Sequence, residues 1–369
     1  MLSLNNCRDR QRRFLDRMVE QGLSAAVLAN PKNVYYLTGA LNDPSLPQIF
    51  VLTAGGRGLL VSNAEPRQYA AEGLELYTAY TLERPFLRHT MHAEAIGRVA
   101  RFLQGESGTI GLEFDSASAA LAAALPAGAG RADLTPVLLD MRRRKDPDEI
   151  ECIRAAIRLA EAGYRALKAR LEPGWTECDA YLAFFGAMVE EAGTAVDLRG
   201  DFAAGTRAIG GGGPPTRRRI ERGDLYILDI FPVYRGYCCD LCRTFAAGEP
   251  SALQRDAWAH IMAAHAIVAR ILRPGVTGRA VYEEVRAHLE SFAPARGSFT
   301  HHLGHGVGME AWEFPWLTPG SGQEIREGDV IAVEPGLYSQ GLRGGIRLER
   351  NYLVGRDGVT PLDDLPLDL

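Results

Sequence analysis

Apolar residues change their period several times along the chain, and those changes outline the fold. Over residues 11–20, Phe14, Leu15, Met18 and Val19 share one helical face. Short apolar runs follow at 25–28, 49–52 and 59–62, separated by glycines and an Asn30-Pro31 turn signal, and they read as strands. The helical period returns over 93–103, and 109–114 reads as a further strand. Strands alternating with helices over the first ~135 residues predict a small α/β domain.

A charge-dense junction, DMRRRKDPD at 140–148, interrupts this pattern. It places a domain boundary that divides the chain into 1–140 and 141–369. Pro147, followed by Asp148 and Glu149, is a helix start. The apolar period from Ile150 to Leu167 predicts a long helix stopped by Pro173-Gly174, and a second helix is expected over 177–191, stopped by Gly193. The chain then turns β-rich. DLYILDIF (224–231) and GYCCDLCRTF (236–245) predict two antiparallel strands joined by a turn at 232–235. Helices over 251–272 and 277–292, then strand-like runs at 330–334 and 345–354, give the second domain an α+β character.

Composition narrows the function classes. With 46 acidic against 41 basic residues the net charge is −5, which does not suit a general nucleic-acid binder. No apolar run approaches the ~18 residues of a membrane span, and no secretory signal is visible at the N-terminus. The six cysteines read as reduced thiols of a cytoplasmic protein.

The total charge does not reveal how the acids are distributed. Asp229 lies inside the apolar run ILDIF, and Asp240 follows in the next expected strand. Glu334 sits in VIAVEPG and Glu349 in GGIRLERNYLV. Carboxylates in such runs are expensive to bury unless they are paired or bind a metal. Three of the eight histidines fall in THHLGHG (300–306), and glycines on both sides leave the backbone open around His305. Four carboxylates and one imidazole suit hard or borderline divalent cations, and a pair of ions fits four carboxylates better than one.

With these residues in hand, the chain resembles the creatinase/prolidase/aminopeptidase P family of pita-bread metallopeptidases. NPKNVYYLTG (31–40) is similar to the family's N-terminal domain and RRRKDPDEI (142–150) to its linker. The motifs LDI, CCDLCRTF, HHLGHGVGM, VEPGLY and GGIRLE follow in family order. The resemblance implies a creatinase-like α/β N-terminal domain and an α+β pita-bread catalytic domain. It implies two divalent ions, manganese first with cobalt or zinc as alternatives, held by Asp229, Asp240, His305, Glu334 and Glu349. A metal-bridging hydroxide would cleave short peptides at X–Pro bonds, with Glu334 taking and returning the proton. Arg347 would hydrogen-bond near the bridging carboxylate, Glu313 matches the acid of the family's His-Glu pair, and His301 matches a substrate-side histidine. A homodimer is the family's common assembly.

Two departures set this chain apart from the family pattern. Trp312 stands seven residues after His305, where the family has a histidine, and the loop 208–216 lacks the family's other histidine. These losses keep open a second reading, hydrolysis of a non-peptide C–N bond in a small substrate, and a third, a non-catalytic binding module. Trp312, Phe314 and Trp316 read either as core packing or as an apolar wall beside the substrate. Strand alternation would put Cys238, Asp240 and Cys242 on one face, bringing two thiols near the metals and making the site sensitive to oxidation. The glycine run 210–213 lacks the context of a phosphate loop. The arginines at 142–144 and 217–219 read as solvated charge.

Overall fold

The chain divides into two units, Met1–Met141 and Arg142–Leu369, and the computed structural model describes residues 1–83, 85–210 and 212–369. The glycine run at 210–213 therefore lies partly outside the described residues.

The first unit carries strands β1 (Leu23–Leu28), β2 (Ile49–Thr53), β3 (Gly58–Ser62), β4 (Gly73–Leu76), β5 (Thr109–Leu112) and β6 (Gly130–Asp133). They form one sheet in the order β4-β3-β2-β1-β5-β6. β1 pairs antiparallel with β2 and parallel with β5. The inner strands are buried on both faces, so they show continuous apolar runs rather than alternation. Val27, Val51, Val61 and Ile110 pack against Met91, Ile96 and Val99 of the helix Arg88–Phe102. Asn30-Pro31 starts a helix, Pro31–Thr38, rather than a turn. Asn30 accepts a hydrogen bond from the Lys32 amide at 3.0 Å, Pro31 takes the first helical position, and Gly39 closes the helix at φ 71°. Six of the eight residues in this helix are buried, so no polar face shows a helical period.

The second unit opens with the helix Pro147–Lys168, held at its start by reciprocal hydrogen bonds between Asp146 and Glu149. The helix Glu177–Ala192 follows, capped by Thr176 and closed by Gly193 at φ 63°. Strands β7 (Gly200–Ala204), β8 (Leu225–Ile230), β9 (Val233–Tyr234), β10 (Tyr237–Cys238) and β11 (Leu241–Ala246) come next. After the helices Ala252–Ile271 and Gly278–Glu290 come β12 (Gly304–Gly306), β13 (Glu313–Leu317), β14 (Val330–Val333), β15 (Gly336–Ser339), β16 (Gly344–Arg347), β17 (Arg350–Val354) and β18 (Val359–Pro361). One sheet runs β11-β8-β7 and another β13-β12-β14-β17-β18. Ile261, Val268, Val281 and Val285 of the two helices join Ile331, Val333 and Tyr352 of the larger sheet in one core. Among the described residues no helix is long and apolar enough to cross a membrane.

The expected strands prove to be interrupted where the acids sit. The expected hairpin contains a small β9–β10 hairpin of its own, and Asp240 falls in the gap before β11. Cys242, not Asp240, stands opposite Asp229. The strand-like run 345–354 breaks at Leu348–Glu349, and Glu334 lies just past the end of β14. A continuous ladder would lock each side chain onto one of two alternating faces. The gaps free these acids from that alternation, whereas Cys242, the cross-strand partner of Asp229, shares that acid's face. All three neighbouring thiols, Cys238, Cys239 and Cys242, are fully enclosed, and burial pushes the last two well above the usual thiol range. Burial therefore works against the thiolate form, and so against the expected oxidation sensitivity, at Cys239 and Cys242.

The arginines of the junction also differ from expectation. Arg142 and Arg143 are buried, not solvated. Arg143 makes a two-pronged pair with Asp329, at 3.1 and 2.7 Å.

Candidate metal centre and active site

The site grows from strand ends. On β8 and β7, Asp229 and Asp201 are direct cross-strand partners and so share a face. Arg347, the last residue of β16, reaches both, with its guanidinium 2.6 Å from Asp229 Oδ2 and 3.5 Å from Asp201 Oδ2. Asp240 is pinned through its backbone: its amide donates to Asn351 Oδ1 at 3.2 Å, and the Asn351 amide group donates back to its carbonyl. Asn351 thus replaces the missing ladder partner. The Glu349 amide bonds Cys242 O at 3.0 Å and the Glu334 amide bonds Leu303 O at 2.8 Å, so both glutamates are fixed at their Cα atoms.

His305 lies at the centre of β12, between β13 and β14. Gly304 and Gly306 flank it because a Cβ at either would meet a neighbouring strand's carbonyl oxygen, Ala332 O at 2.0 Å or Phe314 O at 2.1 Å. The His305 Nδ1–H donates to Gly306 O at 3.1 Å, which turns Nε2 toward Asp240 Oδ2 and Glu334 Oε1, each 3.7 Å away.

These groups line a cavity of about 510 Å³. Asp229, Asp240, His305, Glu334 and Glu349 all face it, as do His301, Arg347 and Trp312. Three ligand clusters meet inside it: Asp240–His305–Glu349, Asp229–Glu334–Glu349 and His302–His305–Glu334, each with donor atoms within 4.8 Å of one another. Among the described residues, Asp229 Oδ1 and both carboxylate oxygens of Glu349 are buried without a hydrogen-bond partner. Burial, followed by the charge of neighbouring acids, holds the carboxyls of Asp240 and Glu349 well above the usual carboxylate range. Protein groups alone leave these acids unsatisfied and mutually repelling. The donor set fits divalent cations as partners for these oxygens.

Glu313 is placed elsewhere. It does not line the cavity; its carboxylate accepts from the buried Arg142, from Lys145 Nζ at 3.1 Å and from the amides of Met309 (3.0 Å) and Glu310 (3.2 Å). Burial would raise this carboxyl, but the Arg142 and Lys145 charges hold it at about 2. Gly308 has room for no side chain because a Cβ would stand 2.7 Å from Glu313 Oε2. Glu313 therefore organises the loop after His305 and touches none of the cavity-lining acids. This corrects its expected catalytic role.

Three cavity residues escaped the sequence reading. Asp201 sits in an unremarkable Gly-Asp-Phe stretch and acquires its place only through pairing with Asp229. Tyr338 donates its hydroxyl to His301 Nε2 at 2.9 Å and receives Arg347 at 3.4 Å. Its signal was the glycines around it: a Cβ at Gly336 or Gly345 would strike the Tyr338 side chain, at 2.3 and 2.2 Å. His302, visible only as one of a histidine pair, sets Nε2 2.8 Å from Glu334 Oε1. Trp312 is 56% exposed and stacks obliquely on Phe231 at 5.6 Å, forming a wall of the cavity, whereas Trp316 packs between His302 and His305.

Residues 151–356 match metallopeptidase family M24, and residues 10–143 match the creatinase/prolidase N-terminal domain. The chain belongs to family M24. Relatives span it nearly end to end: an uncharacterised peptidase of Bacillus subtilis is 26% identical over 94% of this chain and 96% of its own. A Xaa-Pro dipeptidase of Pyrococcus furiosus is 31% identical over 61% of this chain and 64% of its own. Among solved structures, a Xaa-Pro dipeptidase from Bacillus anthracis superposes with a TM-score of 0.84, covering 99% of both chains at 23% identity. Prolidase from Pyrococcus furiosus gives 0.79, covering 95% of this chain and 99% of its own, also at 23% identity. The fold is thus that of the M24 prolidases, an α/β N-terminal domain followed by a pita-bread catalytic domain.

Proposed function

We propose that this M24 peptidase hydrolyses short peptides at X–Pro bonds, using two divalent ions held by Asp229, Asp240, His305, Glu334 and Glu349. The observation that carries the reading is the unsatisfied carboxylate cluster, in which Asp229 Oδ1 and both oxygens of Glu349 are buried without partners. Ions bound there supply Lewis acidity and lower the pKa of water. The chain's own residues do the rest. Glu334 Oε2, the oxygen not bonded to His302, is our candidate for taking and returning the proton. Arg347 holds Asp229 in place, and Trp312 with Phe231 offers an apolar face suited to a prolyl ring. His301 presents a neutral imidazole fixed by Tyr338, because burial pushes its pKa down.

The oxygen-rich donor set favours manganese, with cobalt and zinc next. Six free thiols support a reducing, cytoplasmic setting. A homodimer is our working assembly, on family resemblance. A second reading is favoured by Trp312, which replaces a family histidine at the cavity: the substrate is a small non-peptide molecule with a hydrolysable C–N bond.

Metal analysis of protein purified without chelator should find two ions per chain, and Asp240→Asn should lower that count. Metal-loaded protein should cleave X–Pro dipeptides or tripeptides. Fewer than one ion per chain under metal-replete conditions overturns the metal centre. Two ions with cleavage of amidines or cyclic amides but not of X–Pro peptides establishes the second reading.

A further inference from the structure

His301 and His302 are adjacent in sequence and both face the cavity, but only one has a ring nitrogen aimed at the acids. His301 is fully engaged: its Nδ1–H donates to His302 O at 2.7 Å, and its Nε2 accepts from Tyr338 at 2.9 Å. Its nearest approach to Glu334 is 3.8 Å. His302 packs its ring edge-on against Trp316 at 5.2 Å and against His305 at 5.3 Å, which directs Nε2 to Glu334 Oε1 at 2.8 Å. The same Glu334 oxygen is 3.7 Å from His305 Nε2. Donor atoms bound at ~2.1 Å to one ion lie roughly 3.0–3.4 Å apart, and the two observed separations bracket that spacing.

We propose that His302 is a further protein ligand of the metal centre, completing with His305 and Glu334 a two-imidazole, one-carboxylate set. This rests on the metal-centre reading above and sharpens it. A second imidazole shifts one of the two positions toward borderline ions, zinc or cobalt, and away from manganese. Coordination replaces the hydrogen bond between His302 and Glu334. Coordination through Nε2 leaves Nδ1 as the ring's N–H donor.

The test is to count coordinated imidazoles in the zinc-loaded protein with 15N-labelled histidine, where a metal-bound ring nitrogen differs in shift from a protonated or bare one. Two zinc-bound Nε2 atoms are expected, from His305 and His302. H302Q should lose one signal and weaken zinc binding at one site by at least about tenfold, with a smaller change for manganese. One coordinated imidazole in the wild type, with His302 Nε2 protonated, overturns the proposal while two bound ions keep the metal centre. No bound zinc in the wild type overturns both. The wild-type spectrum decides the matter even if H302Q folds poorly.

Discussion

The Glu313 cluster tests whether sequence position or geometry better identifies a working residue. Glu313→Gln keeps the shape and an acceptor for the Met309 and Glu310 amides, but removes the negative charge that the buried Arg142 and Lys145 share. Two routes give the size of the effect. Lowering a carboxyl from 4.5 to about 2 corresponds to about 3 kcal/mol of stability at neutral pH. Breaking a buried ion pair by removing one partner costs about 3–5 kcal/mol. All four tryptophans, Trp175, Trp258, Trp312 and Trp316, lie in the second unit, so their fluorescence reports its unfolding alone. Urea titration followed this way should show the transition of E313Q moved to lower urea by about 3 kcal/mol, with its slope unchanged. Because the folded pKa lies below the unfolded one, the wild-type advantage is complete above pH 4.5 and fades as pH falls toward 2. Bound metal per chain should stay the same. A stability change under about 1 kcal/mol, or unchanged stability with loss of hydrolysis, refutes the structural role and restores a chemical one.

Other outcomes follow from the same contacts. Tyr338→Phe removes the donor that fixes His301 and should cost about 2 kcal/mol of stability and reduce kcat/KM without changing bound metal, which metal analysis and kinetics would check. A Cβ at Gly212, where φ is 104°, would stand 2.7 Å from Asp201, so Gly212→Ala should disturb Asp201 and reduce turnover; an unchanged rate would show that the loop yields freely. His265 is held neutral between Tyr352 and Leu348, with burial pushing it down to about 4. Its contribution is complete above the unfolded value of 6.5 and is lost as pH falls from there toward 4, roughly 2 kcal/mol by pH 5. Urea titrations at pH 7 and 5 should show this loss in the wild type and a smaller one in His265→Gln.

The metal-facing acids were legible because a carboxylate inside an apolar run contradicts its surroundings, as in ILDIF and VIAVEP. The glycines around His305 were legible for a similar reason, since only a close backbone approach calls for so many. What the sequence concealed were relations between segments. Asp201 looks like any loop acid until β7 pairs with β8. Glu313 looks like a site residue because it matches the acid of the family's His-Glu pair, yet its partners Arg142 and Lys145 come from the junction far upstream. The gaps at Asp240 and Glu349 look like continuous strand because no glycine or proline interrupts CCDLCRTF or IRLERNYLV. A break shows in the ladder, where Asn351 takes over the hydrogen bonds of Asp240, and not in the hydropathy. The helix Pro31–Thr38 was hidden for the opposite reason, since burial on nearly every side erased its period.

The gap that places Glu349 has a consequence for how the chain matures. Asp229 and Asp240 leave the ribosome well before the histidine of β12, and Glu349 comes last, beyond both C-terminal helices. The bond from the Glu349 amide to Cys242 O joins the two ends of that interval. Until β16 and β17 have been synthesised and docked, the early aspartates have no arginine and no completed cage. Such long-range closure is slow compared with helix formation. A nascent chain would therefore take up its ions only as a late step, and truncation just before Glu349 should release a protein whose helices form but whose acids have nothing to hold.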